Sequence, residues 1–279
     1  SPYICAEWEF GGLPWWLQEM DGMEIRCSNP VYMERFEIYL GKLFDTMEEL
    51  GVLEDTIIVF TSDNGPALEG SVGDLRGGKY LAYEGGQKVP FMIRWDNDNG
   101  ALGTKGTERD NSAVLVDLFP TLLDLCDITV EGSDNNLPQD RVIDGISMSE
   151  LLKNDCVIHT KDHPILHMKR EKLKALQYTV PTTDVLNREE YKDYKYPVLI
   201  DNEFVTFKYF RKMQNDNPAF FDKTRKNWLF ILNDDISESY NRTSTYPEIA
   251  KEMNEKMDEV MDNFKANRRG INYDYYKGL

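Results

Sequence analysis

Thr56-Ile57-Ile58-Val59-Phe60-Thr61-Ser62-Asp63-Asn64-Gly65-Pro66 is the stretch on which the reading of this chain turns. A short, continuous β-branched run that becomes polar only at its end predicts a strand covered on both faces, as in a parallel sheet. Open α/β sheets hold their ligands just beyond the carboxyl ends of such strands, and Asp63 and Asn64 stand there. A carboxylate beside an amide oxygen, followed by Gly65 for a tight turn, suits a hard cation such as Ca²⁺ or Mg²⁺. The same residues by themselves also read as an Asx turn closing a strand, so the flanking sequence has to choose.

On the amino-terminal side, Tyr32, Met33, Phe36, Tyr39, Leu40, Leu43, Phe44, Met47 and Leu50 recur at spacings of three and four. They predict a helix with one apolar face, opened by Asn29-Pro30 and stopped by Gly51. On the carboxyl side, Gly70, Gly73, Gly77, Gly78, Gly85 and Gly86 predict a long ordered loop over 67–87. A second strand follows over 89–95, then a helix over 113–125 that Pro120 kinks or divides. Beyond a polar, turn-rich stretch at 131–144 and a boundary near Asp155, strands are expected at 164–168, 173–179, 203–210 and 227–233. An acidic helix from 247 to about 267 closes the chain. Strands followed by one helix predict a small α+β subdomain of antiparallel strands after the α/β part.

Composition narrows the function classes. Among 279 residues, 41% are hydrophobic and 29% charged, and no apolar run approaches the roughly 18 residues of a membrane span. Lysine and arginine total 32 against 49 acids, a formal charge of −17, which repels phosphate backbones and anionic headgroups and argues against nucleic-acid or membrane partners. Cys5, Cys27, Cys126 and Cys156 include no CxxC pair, so neither a zinc ribbon nor a disulfide framework is expected. Ser1-Pro2-Tyr3-Ile4-Cys5-Ala6 reads as the interior of a buried strand, which predicts that the natural start lies upstream.

The downstream sequence weighs on the Asp-Asn-Gly question. Phe60-Thr61-Ser62-Asp63-Asn64-Gly65-Pro66, Gly73-Asp74-Leu75-Arg76-Gly77-Gly78-Lys79, Tyr83-Glu84-Gly85-Gly86 and Val89-Pro90 follow one another in the order and spacing of the sulfatase family. Over roughly 44–268 the chain resembles its arylsulfatase and steryl-sulfatase branch, through Asp144-Gly145-Ile146-Ser147 and the Trp228-Leu229-Phe230 strand. The resemblance implies an alkaline-phosphatase-like α/β fold, here partial, and hydrolysis of a small-molecule sulfate ester with a divalent metal, Ca²⁺ or Mg²⁺, bound weakly in this chain. It implies Asp63 and Asn64 as metal ligands and Lys79 as the contact to the sulfate group. A cation and an ammonium aimed at the sulfate oxygens are what a transition state gathering charge there requires. Glu84 reads as structural; Arg76 is left open.

The same resemblance exposes a gap. Sulfatases take their nucleophile from a cysteine or serine in a CxPSR-type motif, and none of the four cysteines fits; Cys27-Ser28-Asn29-Pro30 has its proline one place late and no arginine after it. No catalytic nucleophile is therefore assigned. Residues 1–43 resemble instead the glycoside hydrolase family 35 β-galactosidases, through Pro2-Tyr3-Ile4-Cys5-Ala6-Glu7-Trp8-Glu9-Phe10-Gly11-Gly12-Leu13-Pro14. That resemblance makes Ala6 and Glu7 a remnant of a galactose-holding surface, without the catalytic pair of carboxylates. The expected division is a β-galactosidase-like piece at 1–43, part of a sulfatase catalytic domain at 44–155 and its C-terminal subdomain at 156–279. The seam falls within 37–44. A chain inactive by itself is expected, with a β-galactosidase or a non-catalytic binding module as rivals. His159, His163 and His167, four apart, suggest a metal site, but Pro164 breaks the helix that would align them, so strand-entry or surface roles are expected. Asn241-Arg242-Thr243 matches a glycosylation acceptor pattern.

Overall fold

The computed structural model describes residues 25–66, 71–128, 143–169, 172–188, 202–214 and 225–266. In chain order the elements are helix α1 (Ile25–Glu49), strand β1 (Ile58–Thr61), the helical turn α2 (Glu84–Gln87), β2 (Phe91–Arg94) and α3 (Leu118–Leu125), the last preceded by a 3-10 turn at Leu115–Asp117. There follow α4 (Ser149–Asn154), β3 (Ile165–Lys169), β4 (Lys172–Pro181), α5 (Thr182–Leu186), β5 (Phe204–Gln214), β6 (Arg225–Ile231) and α6 (Pro247–Ala266). They form two compact units. The first is built on α1, β1, α2, β2 and α4; the second holds the four later strands with α5 and α6, and α3 begins in the second and continues in the first.

In the first unit, β1 pairs antiparallel with β2, with Ile58 opposite Arg94 and Thr61 opposite Phe91. The expected parallel neighbour is not found among the described residues, and β1 is half-buried along its length. A β-branched run reports apolar surroundings, not strand direction. Helix α1 begins at Ile25, ahead of the expected start at Asn29. Pro30 lies at the beginning of its second turn, where the missing N–H forgoes only the bond to the Arg26 carbonyl. The ring of Phe36 on α1 packs 5.8 Å from that of Phe60 on β1. Their seam leaves an apolar groove of about 680 Å³, lined among others by Met33, Phe36, Phe44, Ile58, Phe60 and Met92. The predicted apolar face of α1 is thus only partly covered: Met33, Tyr39, Leu43 and Leu50 are all more than half exposed.

The second unit is a four-stranded sheet in the order β3-β4-β5-β6, every pair antiparallel, as the later strand runs predict. Leu176, Tyr178 and Val180 of β4 lie opposite Tyr209, Phe207 and Val205 of β5, and all face one core. Helix α6 closes that face with Ile249, Ala250, Met253 and Met257, an apolar stripe at helical spacing. Pro247 opens the helix at a position where its missing N–H costs nothing, and Glu248 complements the positive end of the dipole. Burying each large side chain of this cluster is worth about 1.5–3 kcal/mol, which makes α6 the main fastener of the sheet.

The sheet's opposite face is buried as well, and there polar groups lie among Ala175, Phe210 and Phe230. Lys208 and Glu238 form an ion pair at 3.1 Å with both side chains fully buried. Gln177, directly across from Lys208, bonds to His167 Nε2 at 3.2 Å and to Ser112 Oγ at 3.3 Å. Burial pushes the His167 imidazole well below its usual range, and the Lys208 ammonium adds to the effect against the Gln177 bond. Pro120 falls within the first turn of α3, so the expected helix over 113–125 starts later, behind a separate 3-10 turn. The expected buried strand at 1–6 and the polar stretch at 131–142 lie outside the described residues.

Candidate functional site

The loop from Ser62 to Pro90 leaves β1 at Thr61 and returns to β2 at Phe91, its paired residue, so its two ends are adjacent. Within it, backbone hydrogen bonds draw three separated segments together. The Gly65 N–H donates to Gly86 O at 3.0 Å, the Lys79 N–H to Pro66 O at 2.8 Å, and the Gly85 N–H to Arg76 O at 2.8 Å. The Asp-Asn-Gly turn, the Arg-Gly-Gly-Lys step and the Tyr-Glu-Gly-Gly turn thereby become one cluster.

Close approach explains the glycines. A Cβ on Gly65 would lie 2.0 Å from Gly85 O, and one on Gly85 would lie 2.5 Å from Arg76 O and 2.8 Å from Gly77 O. Backbone cannot yield as a flexible side chain can, so any larger residue forces these segments apart. Tyr83 anchors the cluster from beneath: its ring is 2% exposed and lies 4.2 Å from the Arg76 guanidinium. Arg76, left open by its sequence, therefore stacks on an aromatic face.

Three of the sequence-nominated residues come to this cluster. Asp63 is exposed and accepts a bond at 2.7 Å from Asn64 Nδ2, while Ser62 Oγ donates to Asn64 O at 3.0 Å. Lys79 is half-buried, with its ammonium 5.7 Å from the centre of the Tyr80 ring. The chemistry on offer is one carboxylate, one amide oxygen and one cationic donor on a rigid backbone frame. For a divalent cation the set is short. Calcium takes about six to eight oxygens, and no group of three or more His, Cys, Asp or Glu side chains fit to hold a metal occurs among the described residues. The residues present do not by themselves fit the ion. Ala6 and Glu7 lie outside the described residues.

Two features escape the sequence reading. Tyr80 has φ 75° and is 75% exposed, next to Lys79. In the second unit, His159 is buried with Nε2 2.7 Å from Asp117 Oδ2 and Nδ1 2.9 Å from His163 O. Asp117 also accepts the backbone N–H groups of Val114 and Ile146 at 2.8 and 2.9 Å. Both His159 nitrogens face oxygen atoms, an arrangement in which the imidazolium can donate from both and the neutral ring from only one. Burial opposes that charge, but the Asp117 bond, the His163 carbonyl and the Asp117 charge outweigh it and raise the pKa. The three histidines thus bind no common metal. His159 and His167 are buried, against the surface role expected of them, while the segment does lead into β3 at Ile165.

At Asn241 the acceptor pattern is engaged as well. Its Nδ2 donates to Asn227 O at 3.1 Å, while its Oδ1 accepts from the backbone N–H groups of Leu229 and Thr243. The side chain splices β6 to the segment before α6, and the nitrogen that would carry a glycan already serves as a donor.

The family model described as Sulfatase matches residues 35–128, which hold the later part of α1, β1, β2 and the whole loop cluster. Over this stretch the chain is similar to the sulfatase family. A model described as Glycosyl hydrolases family 35 matches residues 1–63, so the two matches share 35–63. Steryl-sulfatase of Mus musculus is 32% identical over 157 residues, 52% of this chain and 23% of the relative. N-acetylgalactosamine-6-O-sulfatase of Bacteroides thetaiotaomicron is 26% identical over 236 residues, 79% of this chain and 39% of the relative. The chain therefore spans well under half the length of these sulfatases. Among solved structures, one from work on glycosaminoglycan metabolism by Bacteroides thetaiotaomicron superposes with a TM-score of 0.52 at 22% identity, covering 83% of this chain and 44% of the other. Ps i-CgsB in complex with k-i-k-neocarrahexaose gives 0.54 at 20% identity, covering 79% and 40%. These likenesses carry the fold, the alkaline-phosphatase-like α/β arrangement of sulfatases, present here in part.

Proposed function

We propose that this chain is part of a sulfuric ester hydrolase, with residues 44–155 from the catalytic domain, 156–279 as the C-terminal subdomain and 1–43 a β-galactosidase-like piece. The loop cluster recognises the sulfate group of a small-molecule ester. The observation that carries the reading is the backbone stitching of the Asp-Asn-Gly, Arg-Gly-Gly-Lys and Tyr-Glu-Gly-Gly segments, which gathers Asp63, Asn64 and Lys79 on one frame. Lys79 is the sulfate-contacting residue: a half-buried ammonium on a fixed backbone attracts an anion more strongly than a fully solvated one. Asp63 and Asn64 are two oxygen ligands of a divalent-cation site, Ca²⁺ or Mg²⁺, that is incomplete within these residues. The chain alone performs no turnover, since its 279 residues contain no CxPSR-type motif.

The test is paired. Aryl sulfate hydrolysis with added Ca²⁺ is expected to be absent, and turnover that Lys79→Ala abolishes would overturn the inactive reading. Calorimetric titration with sulfate is expected to show weak binding that Lys79→Ala removes. The match of residues 1–63 to glycoside hydrolase family 35 favours a second reading, a β-galactosidase piece, for which release from an aryl galactoside is the discriminating assay. The sulfatase reading expects none.

A further inference from the structure

Tyr80 is built in a manner that packing does not explain. Its φ of 75° lies in the left-handed region, where a bulky side chain is a conformational outlier. Such strain persists only where the surroundings over-determine it. Here the neighbours are fixed on both sides: the Lys79 N–H bonds to Pro66 O at 2.8 Å and the Leu81 N–H to Gly78 O at 3.0 Å. Yet the ring gains no burial in return, being 75% exposed. The other tyrosine of the loop, Tyr83, is buried beneath Arg76 and presents no surface to a ligand. The strained conformation puts the open ring 5.7 Å from the Lys79 ammonium. An anion seated on that ammonium would hold whatever it is esterified to against the ring.

We propose that Tyr80 is a specificity-determining platform: it stacks against a ring in the leaving group of a sulfate ester whose sulfate is held by Lys79. The proposal rests on the sulfate-binding reading of Lys79. The ligand class it selects is a sulfate ester of a flat-faced ring, either an aromatic ring or the apolar face of a sugar, over a sulfate ester of a short alkyl alcohol. An aromatic side chain supplies such contact to any flat face, and aromatic pairs gain further from ring orientation.

The experiment uses the full chain, titrated by NMR with methyl sulfate, phenyl sulfate and glucose 6-sulfate, with the amide spectrum as a check on folding. Phenyl sulfate is expected to bind about fivefold tighter than methyl sulfate. Tyr80→Gly, which relieves the backbone strain, brings phenyl sulfate down to the affinity of methyl sulfate, and Tyr80→Phe keeps the preference. A Tyr80-dependent gain for glucose 6-sulfate alone assigns the platform to sugars, and one for phenyl sulfate assigns it to aryl esters. If Lys79→Ala removes binding of all three probes but Tyr80→Gly leaves their relative affinities as they were, the platform is refuted and the sulfate site survives. If Lys79→Ala changes nothing, or no probe binds, the underlying sulfate site falls and the platform falls with it.

Discussion

The loop cluster of the first unit and the four-stranded sheet of the second treat their polar side chains in opposite ways. In the loop, order comes from backbone bonds between closely approaching glycines, while Asp63 and Tyr80 stand open and Lys79 is half-covered. In the sheet, Lys208, Glu238, Gln177 and His167 are buried, Lys208 paired with Glu238 and Gln177 bonded to His167. The lesson concerns where function is sought. Strongly shifted ionisable groups often mark active sites, yet here the histidines with shifted titration lie among the buried groups of the sheet unit, where burial lowers His167 and the bonds to Asp117 and His163 raise His159 against burial. The groups available to a ligand are those whose own side chains hold nothing together.

The contrast breaks most sharply at Lys208. Replacing it by Met leaves Glu238 as an uncompensated buried charge and is expected to cost about 3–5 kcal/mol, read as a lower urea midpoint at unchanged slope. Lys208→Met with Glu238→Leu should recover much of that loss. A single substitution that shifts the midpoint no more than a surface change would show that the pair is not sealed.

Gly85→Ala tests the loop from the other side. Its methyl would press on the Arg76 and Gly77 carbonyls, and the expected cost is about 1–3 kcal/mol, from backbone displacement. The loss should be local: hydrogen-exchange protection falls at Gly65 and Gly85 while amides of β4 and β5 keep theirs. Equal loss across both units would mean that the loop and the sheet are not separable in stability.

The smallest effect is a pH dependence from His159. Its folded pKa is raised, because the Asp117 and His163 partners outweigh burial. The imidazolium therefore contributes its full stabilisation below the ordinary histidine pKa of about 6.5, and the contribution is lost as pH rises through the higher folded value. Thermal midpoints measured between pH 6 and pH 9, with His159→Gln as reference, should converge toward the alkaline end. Parallel curves would remove His159 from the account.

What could be read from residues alone divides along the same line. The four-strand run and the closing helix were legible because Leu176, Tyr178 and Val180 alternate along β4, and Ile249, Met253 and Met257 recur at helical spacing on α6. The loop motifs were legible because only glycine tolerates such close backbone approach, so Gly65, Gly85 and Gly86 had to be spelled out. Strand direction at β1 was not, since Ile57-Ile58-Val59-Phe60 describes apolar surroundings for either pairing. Lys208 sits in an alternating strand as a solvent-facing residue would, and nothing local tells that Glu238 arrives to meet it. Asp117 and His159 are likewise partners only through tertiary structure. Tyr80 gives no sign of its φ, because the conformation is imposed by bonds its neighbours make.

The bond from the Gly65 N–H to Gly86 O has a consequence in time as well as in shape. Asn followed by Gly is the pair most prone to spontaneous deamidation, which requires the glycine nitrogen to attack the asparagine side-chain carbon. At Asn64 that nitrogen is committed to Gly86 O at 3.0 Å, and Gly65 is buried. The folded chain holds its chemical clock nearly still at this position, and the clock advances only when the loop opens. Peptide mapping of aged samples would then count openings of the candidate site, with a new carboxylate beside Asp63 recording each one that ran to completion.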